Sequence, residues 1–119
     1  MPKEERLQRN FPKQFRLTRQ GEISRIFADG EFFRAGYLKF KWTPAESGYL
    51  KVVISISKRA GNSPMRNRLK RLIREVLRHR PELERTPIHL AVFVTSPTRQ
   101  PPQLREIQTY LERFFANLR

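Results

Sequence analysis

The sequence predicts an α+β fold: a two-layer sandwich in which a mixed β-sheet packs against helices, in the element order α-β-β-α-β-α. Three observations predict it. Residues 37–43 alternate strictly, with Leu38, Phe40 and Trp42 on one face and Tyr37, Lys39 and Lys41 on the other, the pattern of a half-buried strand. Residues 64–79 set Met65, Leu69, Leu72, Ile73 and Val76 on one stripe at helical spacing. Residues 88–95 are apolar on both faces, Ile88, Leu90, Val92 and Val94 against Ala91 and Phe93, which predicts a central strand covered on both sides.

The remaining elements follow in order. Residues 1–14 read as a basic tail, leaving a single domain over residues 15–119 of the 119-residue chain. Residues 18–29 predict a short helix: Thr18 is a candidate N-cap, Ile23, Ile26 and Phe27 recur at helical spacing, and Gly30 suits a left-handed position after the last turn. Residues 44–48 turn the chain. Residues 50–57 then return as the second strand of an antiparallel hairpin, with Leu50, Val52, Ile54 and Ile56 inward and Lys51, Val53, Ser55 and Ser57 outward. After a basic loop at 58–62, Ser63 is the expected N-cap of the next helix and Pro64 its first residue, where a missing N–H costs nothing. The strand at 50–57, this helix and the strand at 88–95 form a β-α-β unit. A Pro-rich break at 97–102 precedes a final amphipathic helix at 103–118, with Leu104, Ile107, Leu111, Phe114, Phe115 and Leu118 as its stripe.

Charge narrows the function. Net charge is +14, from 25 Lys and Arg against 11 Asp and Glu, and Arg outnumbers Lys 18 to 7. Such an excess points to a polyanionic partner. Guanidinium forks match phosphate and stack on bases better than ammonium groups do, which favours nucleic acid over a membrane surface. There are no cysteines, so disulfides and thiolate metal sites are excluded. No apolar run approaches the ~18 residues of a membrane span, and residues 1–14 lack the apolar core of a secretory signal. The expected setting is cytoplasmic, with no membrane and no small-molecule substrate.

Side-chain catalysis has little support. The two histidines, His79 and His89, have no carboxylate at a suggestive spacing, and the acids are scattered without a repeated pair of the two-metal kind. The concentrated feature is cationic: residues 58–80 hold nine Lys or Arg and one acid, Glu75. Like charges three or four residues apart destabilise a helix, and Glu75 can relieve only Arg71 or His79 at i±4. Arg66 and Arg68 point about 200° apart on a helix, so they suit two backbone segments of a folded RNA better than one shared phosphate. Asn67 between them can donate and accept, as a sugar hydroxyl or base edge requires. The candidate RNA-binding residues are Lys58, Arg59, Arg66, Asn67, Arg68, Lys70, Arg71 and Arg74. A second candidate surface is the polar face of the expected hairpin beside the first helix. Ile23, Phe27, Tyr37, Lys39, Lys41 and Ser55 would line a cationic groove with aromatic walls, which suits a single strand. The competing reading of Ile23 and Phe27 is that they pin the helix to the sheet.

These residues also resemble a known family. Residues 56–75, from Ile56-Ser57-Lys58-Arg59 through Arg66-Asn67-Arg68-Leu69-Lys70-Arg71 to Glu75, are similar to the signature of the bacterial ribonuclease P protein component. Phe15-Arg16-Leu17, followed by Phe27 and Gly30, is similar too. The resemblance covers residues 15–118 and is close over 50–79. Two positions depart from the family pattern: Ile23 stands where an aromatic is frequent, and Ser63 where Ala is usual. The resemblance implies a ribonucleoprotein endoribonuclease in which the RNA subunit is the catalyst. It implies that this chain binds that RNA and holds the 5′ leader of precursor tRNA in the cleft, with Mg2+ held mainly by RNA and no catalytic side chain of its own. It also implies a left-handed β-α-β crossover, against the general rule. The residues alone leave two alternatives open: a structural RNA-binding protein of the ribosomal type, and a basic DNA-binding domain.

Overall fold

The most apolar strand takes the centre of the sheet. The computed structural model describes residues 11–98 and 100–119. After a 3-10 turn at Lys13–Phe15 come α1 (Gln20–Asp29), β1 (Glu31–Ala35), β2 (Leu38–Pro44) and β3 (Lys51–Ile56). A second 3-10 turn at Lys58–Ala60 leads to α2 (Ser63–Arg78), a single turn α3 (Glu82–Arg85), β4 (Ile88–Val94) and α4 (Leu104–Asn117). The strands lie in the order β1-β2-β4-β3. β4 pairs antiparallel with β2 and parallel with β3. The α+β class, the mixed sheet and the β-α-β unit all stand, and the predicted order gains β1 and α3.

The expected hairpin between residues 37–43 and 50–57 does not form, because β4 lies between the two strands. A strand apolar on both faces is best buried with a neighbour on each side, and β4 is the only such strand in the sequence. The connection over residues 45–50 has to span two strand spacings, about 10 Å, and it is tied down by the Leu50 N–H donating to the Leu83 carbonyl at 3.0 Å. The real hairpin joins β1 to β2, with Ala35 opposite Leu38. Its two-residue turn starts at Gly36, whose φ of 59° is the left-handed conformation that such turns favour at that position.

The main core lies between one sheet face and the helices α2 and α4. Leu38 and Phe40, Leu90 and Val92, Leu69 and Ile73, and Leu111 and Phe114 are all fully buried there. Phe40 stacks on Phe114 with centroids 4.4 Å apart and planes 7° from parallel. Among the described residues, the opposite face carries α1 and the segment leading into it, over a smaller cluster of Leu17, Ile26 and Ala91 with Ile23, Val53 and Phe93 packed against it. That partial cover leaves Phe27, Phe32 and Ser55 of this face exposed among the described residues.

Several boundaries move. Phe11 is buried and meets Phe15 edge-on at 6.1 Å, so residues 11–14 belong to the folded domain and not to a tail; residues 1–10 lie outside the described residues. Thr18 does not cap α1, which starts after Arg19 without a side-chain cap. Gly30 is extended at φ −71°, not left-handed; it is small because a Cβ there would sit 2.4 Å from the Ile26 carbonyl oxygen. Leu104 is 41% exposed and stands outside the buried stripe of α4.

Candidate nucleic-acid interface

The cationic helix is set by its first turn. Asn62, not Ser63, is the N-cap: its Oδ1 accepts the Met65 N–H at 3.0 Å. Asn and Ser cap equally well, so composition alone could not choose. Ser63 becomes the first helical residue, and its hydroxyl accepts Arg66 Nη2 at 3.0 Å, while Arg66 Nε donates to the Gly61 carbonyl at 3.2 Å. Arg66 therefore lies along the helix start. Arg68 leaves on the other side, its Nε donating to the Pro102 carbonyl at 2.9 Å. The divergence of the two guanidinium groups expected from helical geometry is what the fold contains.

Arg66, Lys70 and Arg74 continue in one row at i, i+4 and i+8, and Arg71 and Asn67 are exposed beside them. The row ends at a depression of about 160 Å³ that Arg74 shares with Arg16, Leu17, Val52 and Ile54. Burial, and then the charge of Arg16, lowers the Arg74 pKa from its ordinary value. Two guanidinium groups thus repel each other across this depression. Lys58 and Arg59 are exposed in the preceding 3-10 turn, where Ser57 Oγ accepts the Arg59 N–H at 3.2 Å and Ala60 is buried beneath.

The last turn is electrostatically closed. Glu75 pairs not with Arg71 but with Arg78, at 2.8 and 2.7 Å, and lies 3.2 Å from His79. Arg80 makes a forked pair with Glu82 at 3.0 and 2.9 Å, with Arg119 at 3.4 Å as a third partner. The Arg80 guanidinium also sits 5.1 Å above the Phe115 ring. Burial raises the pKa of both carboxyls, but hydrogen bonds and charge from these partners outweigh it and hold both below the ordinary value. By contrast Lys58, Arg59, Arg66, Arg68, Lys70, Arg71 and Arg74 make no ion pair among the described residues.

The open sheet face forms the second surface. Lys39 Nζ donates to Thr95 Oγ1 at 2.6 Å, and Lys41 Nζ to the Phe27 carbonyl at 2.9 Å. Phe27 lies in the last turn of α1, so Lys41 satisfies a carbonyl without an intrahelical partner and places a cation at the negative end of the helix dipole. Each ammonium keeps further donors free. Ser55 is exposed on the same face, and Phe27 is 37% exposed while meeting Phe93 at 5.4 Å. Ile23 is half-buried and packs against the small cluster.

Tyr37 is a correction. It lies in the turn, where strand alternation no longer applies, and points to the helical side. Its hydroxyl donates to Glu106 Oε1 at 3.3 Å, and its ring meets Tyr110 edge-on at 5.1 Å. Burial first, then the charges of Glu106 and Tyr110, push its pKa well up. Sequence reasoning missed Phe32, Arg34 and Phe93 on the cleft side and Arg16 beside Arg74. No alternation over residues 31–35 marks the first two, because the adjacent Phe32 and Phe33 fall on opposite faces of the sheet. His89 Nδ1 lies 4.0 Å from Glu22. Among the described residues, no group of three or more His, Cys, Asp or Glu gathers in metal-binding range, and no helix is long and apolar enough to cross a membrane.

Known proteins share this fold. The ribonuclease P family model matches residues 11–119. The ribonuclease P protein component of Chlamydia trachomatis serovar A is 34% identical over 104 residues, 86% of this chain and 84% of that one. That of Geotalea uraniireducens is 37% identical over 68 residues, which cover 57% of this chain and 60% of the relative's length. The 2.0 Å structure of the Staphylococcus aureus RNase P protein shares the fold, with a TM-score of 0.74 at 24% identity over 88% of this chain and 95% of that one. The family match starts at Phe11, the first described residue of the core, and takes in both the α2 row and the sheet face beside α1: the chain belongs to the ribonuclease P protein family.

Proposed function

We propose that this chain is the protein subunit of a cytoplasmic ribonuclease P, a ribonucleoprotein that removes the 5′ leader of precursor tRNA. Lys58, Arg59, Arg66, Asn67, Arg68, Lys70, Arg71 and Arg74 bind the RNA subunit. Phe27, Lys39, Lys41 and Ser55, on the face beside α1, hold the single-stranded leader. Bond scission belongs to the RNA. The Lys and Arg side chains of the interface repel a divalent cation, so Mg2+ stays with RNA phosphates. The protein neutralises phosphate at preset positions, which lets the RNA pack more tightly and hold its substrate.

One observation carries the reading: seven cations on α2 and its leading loop that make no ion pair among the described residues, beside a separate cleft, in a member of this family. The test is cleavage of a precursor tRNA by the cognate RNA subunit at low Mg2+, with and without the protein. Faster cleavage with the protein is expected. An unchanged rate, with the RNA still bound, would favour a purely structural RNA-binding role. Hydrolysis by the protein freed of all RNA would overturn the division of labour.

A further inference from the structure

Phe32 is the most exposed large apolar side chain among the described residues, at 53%. It sits in β1, directly across from Lys41 and on the same sheet face. On that face Lys39 pairs with Phe93 of β4, and the Phe93 ring reaches back across the lysine strand to Phe32, with centroids 6.5 Å apart. Phe27 meets the same Phe93 from α1 at 5.4 Å. Phe93 is thus a floor touched from two directions, by the edge strand and by the helix above. The rings stand 58° and 65° from its plane, so neither Phe32 nor Phe27 is stacked face to face on it. The heads of Lys39 and Lys41 are drawn aside to Thr95 and to the end of α1, and Arg34 is exposed in the next cleft-facing position of β1. Apolar ring surface lies in the middle and cations lie around it.

We propose that Phe32, with Phe93 beneath it, forms a stacking slot for one unpaired base of the bound RNA strand, with Lys39 and Arg34 taking the adjoining phosphates. This rests on the reading that a single strand lies in the cleft. Ring stacking with cations alongside is the chemistry of single-strand binding, and every base offers a face to stack on. A protein or lipid partner for Phe32 fits less well, because the surrounding cations require an anionic backbone.

The test uses holoenzyme reconstituted from the full chain and its RNA subunit. Precursor tRNAs carry a single abasic site moved stepwise along the leader. Wild type should lose about 5- to 10-fold in affinity at one leader position. Phe32→Leu keeps the apolar volume but removes the ring face. It should show the same loss with an intact leader, and no further loss when that one base is missing. Phe32→Tyr should restore binding, which separates stacking from packing. Equal affinity of Phe32→Leu and wild type for the intact leader, at equal unfolding midpoints, overturns the slot while leaving the leader reading in place. Equal affinity of wild type for leader-bearing and leaderless tRNA overturns both.

Discussion

The cations of α2 before Glu75 and those after it, in the last turn and just beyond the helix, differ in what they face. Arg78, His79 and Arg80 meet Glu75 and Glu82, and Arg80 also covers Phe115. These groups hold the end of α2 against α3 and the chain terminus. Arg66, Lys70, Arg71 and Arg74 have no acid in ion-pair range among the described residues, and Arg74 faces Arg16. A run of positive residues therefore contains two populations, one paired with acids that hold the protein together and one without an acidic partner among the described residues. Which is which depends on a few acids, and Glu75 is decisive because it turns toward Arg78 and not back to Arg71.

The largest expected effect that tests this contrast is on salt dependence. Neutralising six or more phosphates should cost about 10³-fold in RNA affinity between 50 and 200 mM salt. Arg71→Ala should flatten the log–log slope by about 0.7–0.9, whereas Arg80→Gln should leave it unchanged; equal effects would erase the distinction. Next is stability. Glu82→Ala strands Arg80 in a half-buried site, and because the pair is partly exposed the loss should be about 2 kcal/mol, below that of a fully buried pair. A denaturant titration reads it. Third, Arg68→Ala should weaken RNA-subunit binding about 5- to 10-fold, with a stability loss near 1 kcal/mol for the bond to the Pro102 carbonyl; undiminished affinity would remove Arg68 from the interface. The smallest effect is on acid stability. The pKa values of Glu75 and Glu82 are lower in the folded state than the ordinary carboxylate value. Their contribution is complete above that ordinary value, near 4.3, and disappears as pH falls through the depressed folded values. Glu75→Gln should therefore narrow its stability gap to wild type on acidification, and a gap that widens would contradict the pairing.

Much of this was legible because periodicity reports burial. The stripe of α2 and the two apolar faces of β4 could be read directly, and so could the alternation of β2 and β3, since each follows from which side of an element meets the core. The partner of a strand could not. Two alternating strands joined by a short polar loop look the same whether they pair or admit a third strand between them, and only the demand of β4 for burial on both sides settles that. β1 was hidden by its shortness and by Phe32, whose exposure breaks the rule that apolar residues face inward.

The identity and spacing of the residues determined on their own that this is one strongly basic α+β domain with a cationic helix facing outward and no cysteine chemistry. The tertiary structure decided which cations stay unpaired, that Tyr37 belongs to the helical side, and that Phe27, Phe32 and Phe93 meet. The reason is range. Helix and strand patterns are set by neighbours a few residues apart, whereas ion pairing and ring contact depend on groups brought within a few ångströms from distant parts of the chain. Phe32 and Phe93 are 61 residues apart in sequence and 6.5 Å apart in space.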